Sequence, residues 1–406
     1  AFNRTLASGS RLFEEAAGAT KAAGTTVLSG ADAFTLHDTY GFPLELTLEM
    51  AAEADLSVDE EGFRALMAEQ RARAKADAAA RKQAHTDLSA YRDLVDTGPT
   101  EFTGFDELVS EATILGIFVD GRRVPVVNHE TSAGSEHVEL ILDRTPFYAE
   151  SGGQVGDTGT ITTPTGRAEV LDTTFALPGL RRHVARLVEG DITAGQSATA
   201  DIDDARRAAT RRNHTATHLL HWALRHTLGN HVKQAGSYVG PDRLRFDFSH
   251  YEAVTPEQIA EIERLVNDET LRNEPAIAFE TSKSEAEQLG AIAFFGDKYG
   301  DIVRVLQAGP SIELCGGTHV SATGDIGLVK VVSESSIGSN IRRIEAITGQ
   351  ASVDLLQRDE ATLGQIGRLV GAAGGQNHQD AVADGVSRKL DELKALQGEL
   401  KMLRSK

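Results

Sequence analysis

The feature that most constrains the fold is a pair of short motifs roughly a hundred residues apart, Asn213-His214-Thr215-Ala216-Thr217-His218 and Leu314-Cys315-Gly316-Gly317-Thr318-His319. The first lies within Asp204 to Leu228, a segment that reads as helix. Histidines four apart on a helix share one face, so both imidazoles can converge on one metal ion. In the second motif, Gly316 and Gly317 allow a tight turn with unusual dihedrals, which aims Cys315 and His319 at the same point. Two histidines from a helix and a cysteine and histidine from a turn make a four-ligand tetrahedral set of the zinc type, with the cysteine bound as thiolate. A helix and a distant turn must therefore meet, and one ion would pin a sizeable domain.

Other zinc chemistries can be screened. A metalloprotease helix carries Glu directly after the first His, where this chain has Thr215. A nucleobase deaminase needs His-x-Glu with Pro-Cys-x-x-Cys, and neither occurs. A zinc finger usually holds its ligands in one compact module. His221 and Arg225 lie close to the same helix face. Four protein ligands usually mark a closed structural site, whereas activating water needs an exchangeable position; the residues leave both roles open. Thr215, Thr217, Gln234 and Thr318 are candidate polar groups for a surrounding cleft, with Val232 to Ser237 following the helix closely enough to line it, and Asp247 is an available carboxylate. The run Phe147 to Gly159 is glycine-dense and suits close approach of backbone to a ligand. It lacks the Gly-Lys-Ser/Thr of a P-loop, and its Gly-Gly-Gln triplet recurs at Gly374-Gly375-Gln376.

A single cysteine excludes a disulfide within the chain and fits a reducing compartment. The net charge of -19 argues against a general nucleic-acid binder. Basic residues nevertheless gather at Arg206, Arg207, Arg211, Arg212, Lys233, Arg243 and Arg245, with Arg181 and Arg182 just upstream. They form either a local face for a polyanion or a merely solvated surface. No apolar run approaches membrane-spanning length. The chain opens without Met or a signal-peptide pattern and ends inside a helical pattern, and so reads as a piece of a longer protein.

The pattern along the chain implies a multidomain α+β protein. Residues 1–87 read as helical, with candidates at Phe2 to Ala17, Leu44 to Ala54 and, capped by Asp59, Glu60 to His85; Ala22 to Leu36 looks strand-like between glycines. Residues 88–200 hold short β-type segments separated by glycine turns, the pattern of a small barrel or sandwich. Residues 201–348 mix helices (Asp204 to Leu228, and Pro256 to Asn273 capped by Thr255) with strands at Ile277 to Phe279, Ile302 to Leu306 and Leu328 to Ser333, while Ile341 to Ile347 suits strand or helix. Residues 349–406 return to helix, interrupted by a polar stretch at Gly371 to Asn377. There Val386, Leu390, Leu393, Leu396, Leu400 and Leu403 suit a coiled-coil or helical-hairpin start, or an ordinary amphipathic helix.

The chain resembles bacterial alanyl-tRNA synthetases over nearly all its length. The matching segments are Leu36 to Met50 (LHDTYGFPLELTLEM), Phe147 to Gly159, Asn213 to His221, Val232 to Ser237, Ser311 to His319 with Thr323 to Gly327, and Arg342 to Gly349. The resemblance implies that 1–87 ends a helical tRNA-recognition region and connects it onward. By the same resemblance, 88–200 is the glycine-rich β-barrel of the editing region, 201–348 is a zinc-binding α/β editing core, and 349–406 begins a coiled coil. It implies hydrolysis of the aminoacyl ester of Ser-tRNA(Ala) and Gly-tRNA(Ala), one Zn2+ per chain on His214, His218, Cys315 and His319, an active-site Thr at Thr215 or Thr217, and an active-site Gln at Gln234. ATP and Mg2+ would serve only an activating core that is not seen in this chain. The implied setting is the cytoplasm, with tRNA(Ala) as partner, no membrane, and self-association through the C-terminal helical region of the full-length protein. The alternative is a zinc-stabilised tRNA-binding fragment without turnover of its own.

Overall fold

The computed structural model describes residues 12–404 apart from 14–15, 19, 22–23, 39–43, 55, 65, 67–88, 133, 136, 294–299, 339 and 373–377. The chain divides into two compact units, Ala1–Ser89 and Ala90–Lys406.

In the first unit, helices Gly30–Asp38 and Leu44–Glu53 pack with a short parallel pairing of Val27–Leu28 with Ser57–Val58. Leu28, Leu36, Ala51 and Leu56 are buried together with Phe13 and Ala17. The strand expected over Ala22 to Leu36 is confined to Val27–Leu28, and helix starts at Gly30. Ser29 caps that helix, its Oγ accepting from the Asp32 amide at 3.1 Å. Gly30 serves close packing rather than a strand end, because a Cβ there would lie 2.4 Å from the Phe63 amide nitrogen. Asp59 caps the next helical turn, accepting from Gly62 N at 2.9 Å. Most of the expected helices Phe2 to Ala17 and Glu60 to His85 falls outside the described residues.

The second unit opens with a barrel of six strands: β1 (Val109–Val119), β2 (Val138–Leu142), β3 (Gly159–Thr162), β4 (Gly166–Leu177), β5 (Leu180–Gly190) and β6 (Ser197–Ile202). They pair antiparallel in the order β6-β3-β4-β5-β2-β1, and β1 pairs with β6 to close the ring. Closure removes exposed sheet edges. Ile114, Ile117, Leu140, Phe147, Ile161 and Val170 fill the interior.

Helix α1 (Asp204–Leu228) leaves the barrel and begins an α/β layer. A four-stranded antiparallel sheet runs in the order β7 (Gln234–Val239), β8 (Leu244–Ser249), β13 (Ile341–Thr348), β12 (Val329–Gly338). Phe246, Phe248, Ile344 and Ala346 alternate toward α1 and α2 (Pro256–Arg272) and form one core with Leu219, Leu220 and Ile262. A second sheet consists of β9 (Ala276–Ser282), β10 (Ile302–Ala308) and β11 (Ser311–Leu314). The cap expected at Thr255 is present, and Gln258 completes it as a capping box. Two strands unread in the sequence, β7 and β8, form half of the larger sheet. The segment that suited strand or helix is a strand, β13.

Barrel and layer are joined by the glycine-dense loop. Val239 N donates to Gly153 O at 2.7 Å and Val155 N to Val239 O at 3.1 Å, so the loop extends the sheet beyond β7. Helices α3 (Gln350–Val370) and α4 (His378–Arg404) follow as a hairpin, so close that a Cβ on Gly385 would meet Val370 Cγ2 at 2.5 Å. The leucine stripe of α4 is left exposed, from 37% at Val386 to 72% at Leu403. Among the described residues no helix is long and apolar enough to cross a membrane.

Candidate metal centre

Helix α1 starts at Asp203, whose side chain accepts from the Arg206 amide, and ends at Gly229. Its inward face repeats at Arg207, His214, His218 and His221. Arg207, fully buried, pairs with Asp157 of the glycine loop and donates to the carbonyls of Gly104 at 2.6 Å and Pro146 at 2.7 Å. Asp157 in turn accepts from Tyr148 N at 2.7 Å. A buried arginine thus clamps the loop onto the helix two turns before His214. It also removes Arg207 from any basic surface.

His214, His218, Cys315 and His319 come together, with one donor atom from each within 4.8 Å of the others. Cys315 Sγ lies 3.4 Å from His214 Nε2 and 3.3 Å from His319 Nε2. A tetrahedral ion with metal–nitrogen bonds of about 2.0 Å and a metal–sulfur bond of about 2.3 Å separates its ligand atoms by roughly 3.3–3.6 Å. The four residues can therefore hold one such ion.

The outer nitrogens decide the tautomers. Gln154 Oε1 accepts from the Thr318 amide at 2.9 Å, which fixes the orientation of its side-chain amide. The same oxygen faces His214 Nδ1 at 2.7 Å, so Nδ1 carries the proton and Nε2 presents its lone pair inward. Gln154 Nε2 donates to Thr318 Oγ1 at 2.9 Å and completes the link. Glu313, 1% exposed, accepts from His218 Nδ1 and, at 2.7 Å, from His221 Nδ1. Thr215 Oγ1 donates to Arg211 O at 3.0 Å and so is left to accept, from Val320 N at 3.2 Å and from His319 Nδ1 at 3.3 Å. All three histidines of the cluster are thereby held with Nε2 toward the cysteine, the arrangement in which an outer partner orients a metal-binding imidazole.

Electrostatics suit a cation. Burial alone would raise the Cys315 thiol, but the imidazoles of His214, His319 and His218 bring it well below its ordinary value. Burial likewise disfavours the Glu313 carboxylate, yet His218 and His221 hold it down at about 2. For His218, burial opposes the charged form and the anions Glu313 and Cys315 outweigh it, raising it to about 10. Burial dominates at His319, which falls to about 3. Two anions, Glu313 and Cys315, thus sit among imidazoles and balance a divalent charge.

The turn works differently from its sequence expectation. Gly316 and Gly317 are not among the glycines of positive φ. Gly317 is demanded by space, since a Cβ would lie 2.1 Å from His214 Cε1, while at Gly316 it would meet nothing within 4 Å. Arg304 straps the turn, donating to Cys315 O at 3.1 Å and Gly317 O at 2.9 Å.

A cleft of about 440 Å3 opens onto the cluster, lined by His214, His218, Cys315, Thr217, Gln234 and the glycine loop, with Phe175 and Arg181 from the barrel. Thr217 Oγ1 donates to Asn213 O at 2.8 Å and keeps its lone pairs. Gln234 makes a long contact, 3.4 Å, with Ser237 Oγ. Thr215 does not line this cleft; it is fully buried behind His319. Thr318 is taken up by Gln154. Asp247 is not available, because Arg343 binds both its oxygens at 2.7 and 2.9 Å. Gln154 and Glu313 carried no local sequence signal beyond the Gly-Gly-Gln triplet.

A family model described as tRNA synthetases class II (A) matches residues 1–206, and one described as the threonyl and alanyl tRNA synthetase second additional domain matches residues 303–345. The latter span includes Cys315 and His319. Among relatives named alanine–tRNA ligase, those of Mycobacterium sp. (strain KMS) and Mycolicibacterium smegmatis are each 52% identical over 410 residues, and that of Mycolicibacterium vanbaalenii is 53% identical over 411. The whole of this chain aligns, and it spans 45% of the length of each relative. The chain belongs to the alanyl-tRNA synthetase family.

Proposed function

We propose that the second unit is an editing hydrolase that cleaves the ester between serine or glycine and the terminal adenosine of tRNA(Ala). One observation carries the reading: the Nε2 and Sγ face of the His/Cys cluster shares a cleft with Thr217, Gln234 and the glycine loop. Its volume, about 440 Å3, suits a small aminoacyl nucleoside and not a polymer. The metal is Zn2+, one per chain, on His214, His218, Cys315 and His319. When bound, zinc supplies Lewis acidity and fixes the geometry of the cleft.

The chain's own residues position the substrate. Thr217, already donating to Asn213 O, accepts from the serine hydroxyl or from the attacking water. Gln234 offers its amide to the same region. For the seryl ester both ask for a hydrogen bond that alanine lacks, which is how a second site can reject the correct product while a first site passes serine; the glycyl ester has no hydroxyl and does not use this contact. Thr215 acts behind His319 as a positioning residue rather than on the ester.

Purified chain with stoichiometric metal is mixed with Ser-tRNA(Ala), Gly-tRNA(Ala) and Ala-tRNA(Ala). Serine and glycine should be released well above the uncatalysed rate and alanine should not. Seryl ester loss at the background rate with zinc bound would refute the reading.

A further inference from the structure

The barrel hairpin β4–β5 hangs over the mouth of the same cleft and places the cross-strand pair Phe175 and Arg181 on its lining. The adjacent arginines are treated differently. Arg182 pairs with Glu139 at 3.2 Å and donates to Thr174 Oγ1 at 3.1 Å. Arg181 has no carboxylate partner among the described residues. Its Nη1 donates to Thr100 O at 3.2 Å, and its Nε is buried without a hydrogen bond. The guanidinium carbon lies 4.4 Å from the Phe102 ring centroid and 5.3 Å from that of Phe175. Phe175 itself is 39% exposed.

A half-buried cation without a counter-charge, at the rim of a cleft, suits an anionic ligand. An aminoacyl ester carries no carboxylate, since that group is consumed in the bond, so the anion must come from the nucleic-acid side. The cleft admits only the end of the strand, which leaves the phosphodiester 5′ to the terminal adenosine at the rim. An exposed aromatic face beside that cation suits a stacked base.

We propose that Arg181 binds the phosphodiester preceding the terminal adenosine and that Phe175 stacks on a base of that single-stranded end, forming an acceptor-end seat on the barrel. The proposal rests on the editing reading for the identity of the RNA. Burial lowers the Arg181 guanidinium from its ordinary value, and a bound phosphate relieves that cost.

The test is equilibrium binding of the whole chain to an uncharged acceptor-stem minihelix of tRNA(Ala), made with a normal or a methylphosphonate last linkage. Arg181→Met keeps the packing stem and removes the charge. The expected result is about a tenfold loss for Arg181→Met on the normal RNA, about the same loss for wild type on the methylphosphonate RNA, and no further loss when the two are combined. Phe175→Ala should weaken binding about tenfold and Phe175→Trp should restore it. Additive losses, or a wild type indifferent to the methylphosphonate, overturn the seat; the RNA change tests it independently of how well any variant folds. A chain that shows this binding pattern yet leaves Ser-tRNA(Ala) intact would overturn the hydrolytic reading alone.

Discussion

The Nδ1 nitrogen of His214 donates to Oε1 of Gln154 at 2.7 Å, joining the helix of the His/Cys cluster to the barrel loop across 60 positions of sequence. Gln154 is fully buried and meets Thr318 through both ends of its amide. Replacing it with Ala frees the His214 ring and strands the Thr318 amide. Gln154→Ala should lower metal affinity about 10- to 100-fold, read by chelator competition. It should also cost about 1–3 kcal/mol in unfolding free energy. Unaltered affinity would show that His214 needs no such anchor.

The two glycines of the turn predict opposite outcomes. Gly317→Ala drives a methyl group into His214, whereas Gly316→Ala adds one to open space. Metal content after gel filtration should fall for the first and stay stoichiometric for the second. Equal retention by both would contradict the close approach at Gly317.

Arg207 and Asp157 form a buried pair between α1 and the glycine loop. Arg207→Met leaves Asp157 without its charge partner and the Pro146 carbonyl without its donor, while Gly104 O keeps only the longer bond from Arg211 at 3.3 Å. Breaking such a pair from one side costs about 3–5 kcal/mol. Denaturant midpoints of the second unit should shift accordingly, and a shift under about 1 kcal/mol would be evidence against the clamp.

His183 supplies a pH dependence away from the His/Cys cluster. Burial depresses it to about 4, outweighing the bond from Nδ1 to Leu140 O at 2.9 Å, while Nε2 accepts from Thr145 Oγ1 at 2.8 Å. Its unfolded value is about 6.5. Between these two values the unfolded chain takes up a proton that the folded chain refuses, so stability falls as pH drops from about 6.5 and levels off below about 4. The loss amounts to about 3 kcal/mol. His183→Gln, though less stable at neutral pH, should lack this component when urea midpoints are compared from pH 7 to pH 4. Parallel pH profiles for the two proteins would rule it out.

Legibility in the sequence followed locality. Helix α1 was readable to its ends because Asp203 and Gly229 stop it chemically, and α2 because Thr255 and Gln258 form a capping box. Most barrel strands showed as β-type runs between glycines. The strands β7 and β8 were missed although Leu244, Phe246 and Phe248 alternate with Arg245 and Asp247, which is the apolar–polar alternation of a half-buried strand; in β7 Gly236 and the polar Gln234 and Ser237 leave no such pattern. The helix at Gly30 was misread because its glycine serves contact with Phe63 rather than a turn. The four cluster residues were legible from two local motifs. Their anchors were not, since Gln154 and Glu313 lie 60 and 95 positions from the histidines they orient. Such pairings exist only once barrel, helix and second sheet are assembled.

The two threonines of the first motif should separate by role. Thr217 lines the cleft, and Thr215 lies behind His319. Thr217→Val keeps shape, removes the hydroxyl and leaves the cluster untouched. It should lower kcat/KM for Ser-tRNA(Ala) about 10- to 100-fold at full metal occupancy, since one lost hydrogen bond at a reacting group is worth about 1.4–2.8 kcal/mol. Thr215→Val removes the acceptor for His319 Nδ1 and Val320 N, so it should weaken metal binding first and lose activity only as metal is lost. Titrating zinc back should restore Thr215→Val and not Thr217→Val. If zinc restored both variants, or neither, the division of roles would not stand.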